Sequence, residues 1–133
     1  MRRGSRRCAL LAAGGGALVN NASTAGTTGI GGLTAYVAAK QGVVGLTRAA
    51  GLAYAGDGIC VNALVTSNVD TPLYRGLLGV GPDADRASLD APNPTGRVAD
   101  PEDMAAFVAF LLSDEARFVT GATLAVDGGA AAA

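Results

Sequence analysis

The sequence predicts an α/β fold, a doubly wound parallel sheet of about three strands with flanking helices. Three observations predict it. Apolar runs of strand length alternate with longer helical patterns in the order strand, helix, strand, loop, helix, strand, which calls for parallel pairing through right-handed crossovers. The run Ile59 to Val65 is almost continuously apolar, as a strand covered on both faces is. Half of the residues are apolar, only 5% are aromatic, and Ala and Gly dominate. Such small side chains pack helices closely onto a sheet but bury little area each.

The elements follow in order. Residues 1–13 read as a leader or remnant helix, ill-ordered in part. Arg2, Arg3, Arg6 and Arg7 precede the short apolar run Cys8 to Ala13, the outline of a secretory signal. Gly14-Gly15-Gly16 breaks that run, and the remnant-helix reading is preferred. Residues 14–133 form the α/β unit. The first strand spans Ala17 to Ala22. A helix opens near Thr34 and runs to about Ala55, where Gly56-Asp57-Gly58 stops it with a left-handed cap. Its middle is polar only at Lys40, Gln41 and Arg48. A helix so apolar is covered on two sides, here by the sheet and by another subunit.

The second strand is Ile59 to Val65. Thr66 to Gly96 is rich in Gly, Pro and Asp and reads as a loop with short helical pieces, long enough for a functional lid. Asp100-Pro101-Glu102-Asp103 starts a helix, with Asp100 as N-cap and Pro101 at the first position. Met104, Phe107, Val108, Leu111 and Leu112 follow at helical spacing. The last strand centres on Thr123 to Val126.

A chain of 133 residues makes one small domain. Its net charge of -1 gives no footing for nucleic acid or an anionic membrane, and no apolar run nears the length of about 20 that spans a bilayer. Two cysteines make no disulfide framework, and a reducing cytoplasm is the expected setting. No metal site is expected.

One constellation carries chemistry. Tyr36 and Lys40 are four residues apart in Tyr-Val-Ala-Ala-Lys, and Ser23 precedes the tyrosine by thirteen. Positions i and i+4 share a helix face. A phenol of reference pKa about 10 is a poor acid–base group at neutral pH, and a neighbouring ammonium favours its phenolate. A serine from the preceding strand end would orient a substrate oxygen beside it. Taken singly, Ser23 reads as a turn residue and Tyr36 with Lys40 as a surface pair; the common register favours catalysis.

This pattern resembles the short-chain dehydrogenase/reductase family, whose signature is Ser followed by Tyr-x-x-x-Lys. Gly16 to Asn20 resembles the strand leading to the serine, and Asp57 to Ala63 the next strand. Val69-Asp70-Thr71-Pro72 resembles the loop at the nicotinamide end of the cofactor, and Val119 to Gly129 the last strand and its exit. The resemblance runs from about Gly14 to Gly129 in the family's order. It implies a partial Rossmann-type sheet, NAD or NADP as cofactor, and a small alcohol or ketone as substrate. By the same token Ser23, Tyr36 and Lys40 are catalytic, while Tyr36, Lys40, Val69 and Thr71 bind the cofactor. Family members pair these helices into homo-oligomers, dimers or tetramers.

Family members are also about twice as long and open with a strand and a Thr-Gly-x-x-x-Gly-x-Gly loop, which cradles the pyrophosphate on backbone N–H groups. The first four strands, the adenosine pocket and an upstream catalytic asparagine have no counterpart in this sequence. The chain is thus expected to match the carboxyl-terminal half and to bind NAD(P) only weakly alone. Two functions stay open: an alcohol–ketone oxidoreductase, or a truncated, non-catalytic fragment or pairing subunit. Thr24 to Gly31 imitates a dinucleotide loop but has Ala25 in place of its first glycine, and reads as a glycine-rich connection. Thr66-Ser67 stands where the family has Pro-Gly, so Ser67 puts a side chain where the nicotinamide would approach. Asn62 and Asp127 read as structural.

Overall fold

The computed structural model describes residues 6–89 and 93–132. Helix α1 (Arg6–Ala12) leads into strand β1 (Gly16–Asn21), helix α2 (Thr34–Tyr54), strand β2 (Ile59–Thr66), helices α3 (Pro72–Leu78) and α4 (Pro101–Leu111), and strand β3 (Thr123–Val126). The three strands form one parallel sheet in the order β1-β2-β3. Gly16 pairs with Ile59 and Asn21 with Leu64; Ala63 pairs with Thr123 and Thr66 with Val126. The expected α/β class and order are therefore present. The first thirteen residues include α1, and residues 1–5 lie outside the described ones.

The central strand explains the stability of the sheet. Ile59, Val61, Asn62, Ala63, Leu64 and Val65 are all buried, so both faces of β2 are covered, as its unbroken apolar run requires. Asn62 is the polar exception and is fully engaged. Its Nδ2 donates to the Val119 carbonyl at 2.7 Å and its Oδ1 accepts from the Ala122 N–H at 3.1 Å. That amide ties β2 to the segment entering β3, satisfying groups that would otherwise be buried unpaired.

Helix α2 buries Val44, Thr47 and Gly51, one stripe at helical spacing. Thr47 donates to the Val43 carbonyl at 2.8 Å and accepts from Asn20 Nδ2 at 2.9 Å, fastening the helix to β1. Gly51 lets the helix approach the turn before β3. A Cβ there would stand 2.6 Å from the Gly121 backbone. The helix ends at Tyr54, a 3₁₀ turn follows over Ala55–Asp57, and Gly58 caps it at φ 71°, the left-handed geometry that favours glycine. Leu46 and Leu52 of α2 are exposed.

The segment from Thr66 to Gly96 holds a full helix, α3, and a 3₁₀ turn at Arg86–Ser88. Thr71 is the N-cap of α3, and Pro72 occupies its first turn. At α4, Asp100 is the N-cap, with Pro101, Glu102 and Asp103 in the first turn. The Asp103 carboxylate accepts from the Asp100 N–H at 2.9 Å, one arm of a capping box.

Candidate active site

Ligands of open parallel sheets bind beyond the carboxyl ends of the strands; Ser23, Val69 and Thr71 follow strand ends there, and Lys40 reaches the end of β1. β1 ends at Asn21 beside Leu64 of β2; Ser23 follows the first strand, Val69 and Thr71 the second. Ser23 is half-buried, extended at φ -168° and ψ 164°, and opens a 3₁₀ turn over Thr24–Gly26. Its Oγ accepts from the Ala25 N–H at 3.2 Å. A hydroxyl accepting there keeps its proton for another acceptor, so the turn role and the catalytic role are compatible.

The turn is seated on α2. A Cβ at Gly26 would meet Val44 Cγ2 at 2.9 Å and the Lys40 carbonyl at 3.0 Å. Only glycine at 26 allows this contact, which holds the turn opened by Ser23 against the helical turn bearing Lys40. Thr27 and Thr28 donate their hydroxyls to the Thr24 carbonyl at 3.0 and 2.9 Å, so the start of the glycine-rich connection is self-bonded.

Tyr36 stands in the first turn of α2, 45% exposed. Lys40, one turn on, is half-buried. Its ammonium lies 5.7 Å from the centroid of the Tyr36 ring, within cation–π range. The same Nζ donates to the Asn21 carbonyl at 3.1 Å. The sequence places Lys40 beside Tyr36 but does not reveal Asn21. The contact needs β1 to end where α2 passes, and the two residues are 19 apart.

Val69 forms an isolated parallel bridge with Ala99. The Asp70 N–H donates to the Ala99 carbonyl at 2.9 Å, and the Ala99 N–H to the Asn68 carbonyl at 3.2 Å. In this pattern the N–H and C=O of Val69 itself point away from Ala99. Thr71 Oγ1 accepts from the Tyr74 N–H at 3.2 Å, again leaving the hydroxyl proton to donate. Ser67 turns its Oγ to the Asp127 carbonyl at 3.1 Å. Asp127 accepts from the Gly129 and Ala131 N–H groups at 2.9 and 2.8 Å, the arrangement of a turn residue. A cleft of about 540 Å³ borders Asp70, Thr71, Pro72, Arg75, Val80 and Pro82. It includes Thr71 but not Ser23, Tyr36 or Lys40.

Motif spacing does not reveal the charge pairs of this region. Asp70 and Arg75 form an ion pair at 2.6 Å, and the hydrogen bond from Arg75 holds the Asp70 carboxyl below its ordinary range. Arg97 pairs with Asp103 at 2.7 Å and, with the Asp100 N–H, lowers that carboxyl as well. A signal was available: Thr71 capping a helix with Pro72 next puts Arg75 one turn in, facing back toward Asp70.

The comparisons with known proteins bear on the family and the fold. A family model described as enoyl-(acyl carrier protein) reductase matches residues 2–131. The chain is 49% identical over 120 residues to cyclohexanol dehydrogenase of Acinetobacter sp. (strain SE19), covering 90% of this chain and 45% of that one. It is 47% identical to inactive 2-(S)-hydroxypropyl-CoM dehydrogenase 2 of Xanthobacter autotrophicus, covering 86% and 50%. The solved structure of ElxO with NADP bound superposes with a TM-score of 0.84 at 26% identity, over 96% of this chain and 51% of that one. The chain belongs to the short-chain dehydrogenase/reductase family. It spans about half the length of the relatives it matches.

Proposed function

We propose that this chain carries the catalytic, nicotinamide-end half of an NAD(P)-dependent oxidoreductase that interconverts an alcohol and a ketone. One observation carries the reading: Lys40 is tied to the end of β1 at 3.1 Å with the Tyr36 ring 5.7 Å away. In ketone reduction the Tyr36 hydroxyl gives its proton to the carbonyl oxygen, and in alcohol oxidation it takes one back. The Lys40 ammonium supplies the positive potential that favours the transient phenolate. The Ser23 hydroxyl donates to the same substrate oxygen and orients it. The nicotinamide cofactor, when bound, supplies the hydride chemistry.

The residues present fit that group. The outward N–H and C=O of Val69 suit a carboxamide, and the Thr71 hydroxyl retains a proton to donate. Lys40 reaches a ribose only by sharing or releasing the Asn21 carbonyl. In this reading NAD or NADP binds weakly to the chain alone, because the pyrophosphate and adenosine contacts belong to the family's other half. A homo-oligomer in the cytoplasm, where a free thiol such as Cys60 persists, completes the proposal.

A second reading is a non-catalytic partner chain. It is supported by the name of the inactive relative, which is as similar in sequence as active ones. The experiment that decides is ketone reduction with NADH and NADPH by the wild type and by Tyr36→Phe. Loss of the general acid–base is expected to cut the rate on the order of 10²–10⁴-fold. Equal rates in both would remove the mechanism, and no turnover under any condition would favour the partner reading.

A further inference from the structure

Arg75 is the most heavily engaged side chain around the candidate site. Its Nε and Nη2 donate to the two Asp70 oxygens at 2.6 and 2.9 Å, a bidentate fork. Its Nη1 donates to the carbonyls of Gly81, Pro82 and Ala84 at 3.3, 2.9 and 3.0 Å. Both members of the ion pair are only 16% exposed. Asp70, the residue held, lies between Val69 and Thr71.

The local chain closes on itself. Thr71 starts the helix that bears Arg75: its carbonyl accepts from the Arg75 N–H at 2.9 Å, and its hydroxyl from Tyr74. The guanidinium then reaches back to the residue before the cap. On the far side, the bridge between Val69 and Ala99 pins the same strip to the chain entering α4. A three-residue strip is thus fixed from the helix, from the loop and from the neighbouring segment.

We infer that Arg75 is a positioning residue for the nicotinamide end of the cofactor. Through Asp70 it sets the backbone of Val69 and the hydroxyl of Thr71, and through its Nη1 it holds residues 81–84 against α3 as one wall of the cleft. The inference rests on the assignment of Val69 and Thr71 proposed above. Lysine cannot replace this arginine, since an ammonium offers no planar fork to a carboxylate while also serving three carbonyls on the other side.

The test uses reduced nicotinamide mononucleotide as probe and AMP as control, titrated by ligand-detected NMR against the wild type, Arg75→Lys and Asp70→Asn. Amide exchange is followed at Asp70 and Ala99, the two bridge donors, and at Ala63 in β2. The wild type should prefer the nicotinamide probe. Both variants should weaken it about tenfold, as loss of a charge-assisted hydrogen bond does, with AMP unchanged. Exchange should quicken at Asp70 and Ala99 but not at Ala63. Wild-type binding and bridge exchange in both variants would overturn the inference while leaving the assignment of Val69 and Thr71 intact. A wild type that treats the two probes alike would remove that assignment and the inference with it. If Arg75→Lys does not fold, the isosteric Asp70→Asn decides.

Discussion

The local placement of Ser23, Tyr36 and Lys40 was legible because it depends on near neighbours: a cap residue after a strand, then two side chains one helical turn apart. Their long-range partners were not. Neither Asn21, which receives the Lys40 ammonium, nor the carbonyls that receive Arg75 can be read from spacing, since each depends on where another segment passes. The carboxylates give a testable consequence. Hydrogen bonds from Arg75 and Arg97 lower the Asp70 and Asp103 carboxyls in the folded chain, while an unfolded aspartate titrates near a pKa of about 3.9. A lowered folded-state pKa means stability that is complete above the unfolded value and lost as pH falls through the folded one. Urea midpoints should therefore be insensitive to these groups from neutrality down to about pH 4, and fall below it. Asp70→Asn should shrink that acid-side fall; an unaltered fall would show that other groups drive acid unfolding.

At the scale of elements, the pattern of apolar residues located every strand and both long helices, because period and length report burial directly. The ends were set by packing: β2 runs to Thr66 and α2 stops at Tyr54. Helix α3 is one of the short helical pieces expected in the Gly- and Pro-rich stretch; its position was not marked there, although Thr71-Pro72 is a sound helix start. Within α2 two glycines separate packing from propensity. A Cβ at Gly51 would stand 2.6 Å from the Gly121 backbone, whereas nothing stands within 4 Å of one at Gly45. Gly51→Ala should destabilise the fold by about 1–3 kcal/mol, the usual cost of overpacking. Gly45→Ala should stabilise it by about 0.5–1 kcal/mol, through helix propensity. Thermal or urea unfolding of the two variants checks this. The same sign for both would mean that the α2–Gly121 contact yields.

The whole molecule leaves apolar surface that its own elements do not cover. Leu46 is 63% exposed, Leu52 85%, Leu112 51% and Phe118 100%. The first two lie on α2, where Leu46 borders a cleft against Leu18 and Val61 of the sheet, and the others at and beyond the end of α4. Single exposed leucines are common, but this many around two apolar helices are the ground for predicting association. The sheet adds a second cause: β1 pairs with β2 on one side, and among the described residues no strand lies on the other, so its edge is open to pairing. The purified chain should therefore not remain monomeric at low micromolar concentration, and light scattering should show a homo-oligomer or larger species. Leu46→Glu with Leu52→Glu should shift the distribution toward smaller species if the α2 face is responsible, because a buried unpaired carboxylate is strongly disfavoured. A shift that fails to appear in a chain that still associates would point to the β1 edge. A monodisperse monomer that unfolds cooperatively would show that these surfaces are stable in water on their own.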